Sequence, residues 1–170
     1  AERFEMYLES VKKGTSKLNV STTNVYDIYK NRNTIDPDLF FDKIEKTSGN
    51  WLPIVDTSGS MQDACDSMGK AMAIGHYLAK CSTYMPNHVV SFSSRPQLIE
   101  LGVTVPKDVY WSPYKNDAYK SKYHNEISSM FTGDCSNTDF GKVMQLLQGL
   151  DKENVPEYLI VLSDMEFDYG

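Results

Sequence analysis

Residues 50–61 read N-W-L-P-I-V-D-T-S-G-S-M, and the fold turns on them. The first half is apolar and partly β-branched, the pattern of a strand buried on both faces. The second half turns abruptly polar at Asp56, Thr57, Ser58, Gly59 and Ser60. Gly59 suits a tight turn, and a helical pattern follows from about Asp63 to Ala79. Strand, polar turn, helix is the arrangement with which open α/β sheets hold ligands at the carboxyl ends of their strands. Asp56 offers an anionic oxygen, and Ser58 and Ser60 two neutral ones whose alternation can point both hydroxyls into one pocket. With neither Cys nor His in the turn, the donor set suits Mg²⁺, Mn²⁺ or Ca²⁺ rather than softer metals. The plainer alternative is that Ser58 or Ser60 N-caps the next helix.

The chain of 170 residues suggests one domain with an additional arm, long enough to bury a sizeable core. The net charge is −6 with the Lys and Arg scattered, so nothing electrostatic favours nucleic acid or an anionic membrane surface. No apolar run approaches the ~20 residues of a transmembrane helix, and A-E-R-F-E-M-Y-L lacks a signal-peptide core. Cys65, Cys81 and Cys135 are odd in number and widely spaced, which predicts buried or half-buried free thiols in a reducing compartment. His76, His88 and His124 stand at no ligand spacing and read as ordinary helix or strand residues.

Upstream of the strand, three short helices are predicted. Phe4, Tyr7, Leu8 and Val11 share a face, with Gly14 as the stop. Val25, Ile28 and Tyr29 form a second, capped by Thr22, Thr23 or Asn24. Asp36-Pro37 starts a third, with Leu39, Phe40 and Ile44 on one side. This arm, residues 1–49, carries no recognisable chemistry and is expected to pack on the sheet domain or to belong to a larger N-terminal part. Downstream, Gly69 and Gly75 would let the helix after the turn lie close to a sheet, with its Met residues as core filler. His88–Phe92 is a second strand, and Gln97–Leu101 a third that hairpins back as an antiparallel edge. Pro106 to Tyr114 is an aromatic, Pro-rich surface loop, and Tyr119–Phe131 a weak helix. A second polar turn, residues 133–139, precedes a helix from Phe140 to about Gly149. Val155–Leu162 is a strongly apolar strand that stops at Ser163-Asp164. As it stands, that strand would be an exposed edge, which suggests further strands or a cover.

Right-handed crossovers predict the sheet order 3-2-1-4. The order reverses between strands one and four, so Asp56 and Asp164 should flank the crevice with Ser58, Ser60 and Thr138. With these parts assembled, the chain resembles a von Willebrand factor A domain. D-T-S-G-S matches the D-x-S-x-S of that family's metal-ion-dependent adhesion site. S-N-T-D-F-G-K-V-M is similar to its G-G-T-D segment, with Ser136-Asn137 in place of the glycines, and V-L-S-D to its strand-end Asp. The resemblance covers residues 50–168. More narrowly, S-D-M-E-F-D and Y-L-E-S-V-K-K-G resemble a cytoplasmic subgroup related to the TROVE-type (Ro) RNA-binding proteins.

The resemblance implies an α/β, Rossmann-like, open and mostly parallel sheet with helices on both faces. That domain, residues 50–170, would lack its C-terminal strands. Ser58, Ser60 and Thr138 would supply hydroxyl ligands, and Asp56 and Asp164 would bind the metal directly or through water. Ser136, Asp139 and Thr57 would lie around them as outer partners, the helix phase favouring Thr138 over Ser136 as the loop ligand. The cofactor would be Mg²⁺, or Mn²⁺ or Ca²⁺, and the partner a protein presenting an acidic side chain. The location would be cytoplasmic.

Two other function classes are weighed against this binding module. An aspartic protease would need a second Asp sharing a proton with the first, and no second D-T-G exists. A haloacid-dehalogenase-type phosphatase would need an Asp where Ser58 stands. A metal-dependent hydrolase would need a base that nothing here supplies, so the chain is not expected to be an enzyme. RNA binding, by analogy with the Ro relatives, would fall to regions outside this acidic chain.

Overall fold

The computed structural model describes residues 2–103, 121–131, 136, 139–150 and 155–165. Four strands, β1 (Trp51–Asp56), β2 (His88–Phe92), β3 (Gln97–Glu100) and β4 (Tyr158–Leu162), form one sheet in the order β3-β2-β1-β4. β1 pairs in parallel with both β2 and β4, placing Ile54 opposite Val90 on one side and Val161 on the other. β3 pairs antiparallel with β2, as a hairpin edge. The predicted architecture and order are those observed.

The helices are α1 (Glu2–Lys12), α2 (Val25–Lys30), α3 (Pro37–Lys43), α4 (Ser67–Cys81), α5 (Lys122–Met130) and α6 (Phe140–Gln148). They cover both faces because successive side chains of a strand point to opposite sides. Val55, Val89 and Ile99 face a large core with Ile28 and Tyr29 of α2, Phe41 of α3, Met68 and Met72 of α4, and Tyr123, Ile127 and Met130 of α5. Leu52, Ile54, Val90 and Phe92 face a smaller core closed by Val143 of α6, with Leu146 and Leu147. α2 and α3 of the arm are therefore part of the main core, and their caps are of the types read. Asn24 and Asp27 form a capping box on α2, and Asp36 caps α3 with Pro37 at its start.

Two expectations are corrected. Helix α4 begins at Ser67, not Asp63, and its N-cap is Asp66, held left-handed at φ 56° while its carboxylate accepts from Gly69 N. Asp63 caps nothing in a helix of its own; its carboxylate accepts from both the backbone and the hydroxyl of Ser67. Such side-chain-to-backbone bonds compete with helix in the preceding turn. Cys65 in this segment is exposed, contrary to expectation, whereas Cys81 is buried. The aromatic, Pro-rich loop Pro106–Tyr114 lies outside the described residues.

Gly75 fixes how closely α4 lies on the sheet. A Cβ there would sit 2.4 Å from Cγ2 of Val55, a fully buried side chain of β1. Ala is the better helix former by ~1 kcal/mol, but overpacking a filled core costs about 1–3 kcal/mol. With the contact at 2.4 Å the cost falls in the upper part of that range, so Gly75→Ala is expected to lower the urea midpoint, with a net loss of about 1–2 kcal/mol. Equal or greater stability would contradict the close approach.

β4 is the other edge of the sheet. Among the described residues it pairs only with β1, and Tyr158 and Leu159 are 58% and 39% exposed. The apolar edge expected from the sequence is therefore present.

Candidate metal centre

The parallel pairing of β1 with β4 runs to Val55 opposite Leu162, so Asp56 and Ser163 follow it side by side. The turn after β1 is then shaped by its own polar atoms. Thr57 N donates to Phe92 O at 2.9 Å, continuing the ladder to β2. The Thr57 hydroxyl lies 3.2 Å from that of Ser91, so this side chain ties β1 to β2. Ser58 N folds back to Asp56 Oδ1 at 2.9 Å, and the Ser58 and Ser60 hydroxyls stand 3.1 Å apart. Their alternation does bring both oxygens together. Neither caps a helix, since Asp66 takes that role. Gly59 makes its turn without a left-handed backbone.

Asp56 is 0% exposed. Its carboxylate accepts from Ser58 N and, on Oδ2, from the Ser163 hydroxyl at 2.5 Å. Among the described residues no Lys, Arg or His forms an ion pair with it. A buried carboxylate in that position is costly unless a cation compensates it. An ionised carboxylate can accept about four hydrogen bonds, so two acceptor positions remain after these two. Among the described residues no three His, Cys, Asp or Glu side chains gather to hold a metal. The oxygen set would be one carboxylate with hydroxyls, the donor type that suits a hard divalent cation.

The other predicted site residues are placed as follows. Asp164 follows Ser163 at the end of β4 and is exposed. The Ser136 hydroxyl donates to Ser94 Oγ at 2.6 Å, and Lys142 Nζ donates to Ser94 O at 3.1 Å. Ser136 and Lys142 of α6 are thus tied to the turn between β2 and β3. Asp139 is the N-cap of α6 and accepts from Lys142 N. Thr138 lies outside the described residues.

Sequence reasoning missed two groups. One is Ser163, whose only signal was its place beside Asp164 at a strand end. The other is a buried cluster where α4 meets α5. His76 Nε2 lies 2.6 Å from Glu126 Oε2, and Lys80 Nζ lies 3.0 Å from Oε1. Phe41 and Tyr123 stand edge-on to the imidazole at 4.5 and 4.8 Å between centroids. Burial pushes His76 below its ordinary value of 6.5, outweighing the pull of Glu126. His76 Nδ1 is buried without a partner, which a lone pair tolerates better than an N–H. The imidazole is therefore neutral and donates from Nε2. Burial pushes the Glu126 carboxyl upward, but His76 and Lys80 outweigh it and hold it below 4.5. A signal existed, since His76 and Lys80 are one turn apart and Glu126 shares a helix with Tyr123, Ile127 and Met130.

No helix among the described residues is long and apolar enough to cross a membrane. No family model, curated protein or solved structure matches the chain.

Proposed function

We propose that this chain is a divalent-metal-dependent protein-binding module of the von Willebrand factor A type, and not an enzyme. The observation that supports it is Asp56, a fully buried carboxylate without a cationic partner among the described residues, beside two converging hydroxyls. Asp56, Ser58 and Ser60 would hold the ion, with Thr138 and Asp164 completing the set. Mg²⁺ is the favoured ion; it takes six oxygens and gives up water reluctantly. One position left to water would accept an acidic side chain of a partner protein. When bound, the ion would supply the electrophile for that carboxylate, and the chain's own residues would orient it. The reading places the protein in the cytoplasm, as its relatives by resemblance are.

Calorimetry tests this. The parent is expected to bind Mg²⁺, and Asp56→Ala to bind none while remaining folded. A partner recovered with the protein should be released by EDTA and lost with Thr138→Ala. Equal Mg²⁺ affinity in Asp56→Ala would refute the site, and undiminished partner binding in EDTA would refute the metal bridge.

A further inference from the structure

We infer that Ser163 is the positioning residue of Asp56, so that the site is completed by β4 and not by the turn after β1 alone. Val55 faces Leu162 across the parallel pair, which brings the next residue of each strand, Asp56 and Ser163, to the same edge. The Ser163 hydroxyl oxygen accepts from Met165 N at 2.9 Å, a bond made in a turn where Met165 is left-handed at φ 67°. A non-glycine residue in that region is uncommon and marks a turn. With its oxygen fixed by Met165 N, the hydroxyl has its proton to give, and it gives it to Asp56 Oδ2 at 2.5 Å. That separation is typical of a charge-assisted O–H···O⁻ bond.

The two donors to Asp56 have different origins. Ser58 N belongs to the same turn and fixes Oδ1 locally. Ser163, just past the end of β4 and 107 residues away in the chain, fixes Oδ2. Together they stop the carboxylate from rotating about its Cβ–Cγ bond and leave one acceptor position on each oxygen. A ligating group oriented by such a partner binds its metal about 10–100-fold more tightly than one without it. Ser163 therefore acts on the ion through Asp56, without itself being a ligand. For affinity the inference rests on the proposed metal site; for the Ser163–Asp56 coupling it does not.

The test has two arms. In EDTA, urea unfolding of the parent, Ser163→Ala, Asp56→Ala and the double variant gives a mutant cycle. Ser163 and Asp56 are expected to couple by about tenfold in the unfolding equilibrium, the size usual for contacting polar pairs. In Mg²⁺, Ser163→Ala is expected to bind the ion about tenfold or more weakly. Ser163→Thr, which keeps the hydroxyl, should restore both affinity and coupling. Additive single variants in EDTA overturn the inference whatever the metal does. So does a Ser163→Ala protein that binds Mg²⁺ as the parent does. If the parent binds no Mg²⁺, the proposed function falls, and the cycle in EDTA still decides the role of Ser163.

Discussion

Asp56→Asn is expected to stabilise the protein in EDTA and to destabilise it, relative to the parent, in saturating Mg²⁺. Asn keeps nearly the shape of Asp and still accepts from Ser58 N. Its amide can donate to Ser163, whose hydroxyl both gives and receives. What disappears is a charge that is 0% exposed and, among the described residues, has no cationic partner. Removing an uncompensated buried charge should yield about 1 kcal/mol or more without metal. With metal the sign reverses. Ligand at 100 times its dissociation constant stabilises the state that binds it by about 2.7 kcal/mol, and only the parent receives that term. The stabilities of the two proteins should therefore cross as Mg²⁺ is added. Parallel curves, with Asn below the parent at every concentration, would mean that the buried charge serves the fold and not an ion.

Glu126→Ala should have the largest effect on stability. The side chain is 8% exposed and meets His76 and Lys80 at 2.6 and 3.0 Å. Removing it leaves a buried His76 N–H without its acceptor and the largely buried Lys80 ammonium without its counter-ion, at about 1–3 kcal/mol for the first and more for the charged group, so about 3–5 kcal/mol together. At this size each kcal/mol is about 2–4 °C, so a loss of about 10 °C in Tm is expected. The same cluster predicts acid sensitivity. His76 is held below 6.5, so as the pH falls through that value the unfolded chain takes up a proton that the folded one refuses. Glu126 is held below 4.5, so a second proton favours the unfolded chain below that pH. Both shifts weaken the fold on the acid side, each by up to about 1.4 kcal/mol per pH unit. Denaturant midpoints at pH 7.5 and 5.5 should differ, and His76→Gln should remove that difference. A His76→Gln protein with the same slope as the parent would show that another group is responsible.

What was legible in the sequence was what depends on near neighbours. I-V-D-T-S-G-S and Y-L-I-V-L announce buried strands that end in polar turns. Crossover handedness then leaves the observed order β3-β2-β1-β4. Asn24 and Asp36-Pro37 announce caps through bonds spanning a few residues. The start of α4 differs from the expectation because Asp63 is of the residue type that begins helices. The decision lies in the bonds from Asp63 to Ser67 and in the left-handed Asp66. At the site, the convergence of Ser58 and Ser60 followed from spacing alone. The Ser163–Asp56 bond did not, because it depends on the register of two strands far apart in the chain. The His76–Glu126 pair left only a helical spacing in the sequence, and the contact itself is set by how α4 packs against α5.

The bond between Ser163 and Asp56 also has a consequence for the order in which the molecule is made. Synthesis delivers β1, α4 and β2 first, and their contacts are comparatively local. β4 comes only after α5 and α6, and its pairing with β1 is among the most non-local in the sheet. Non-local pairing forms late and slowly, because the ends of a long intervening segment must first be brought together. Until then Asp56 has only the donor from its own turn. An immature chain would therefore hold a loosely oriented carboxylate with little hold on an ion. On the proposed function, metal capture would wait for β4, so that a chain in which β4 is not yet paired, or has been pulled away, would present no competent docking site to a partner.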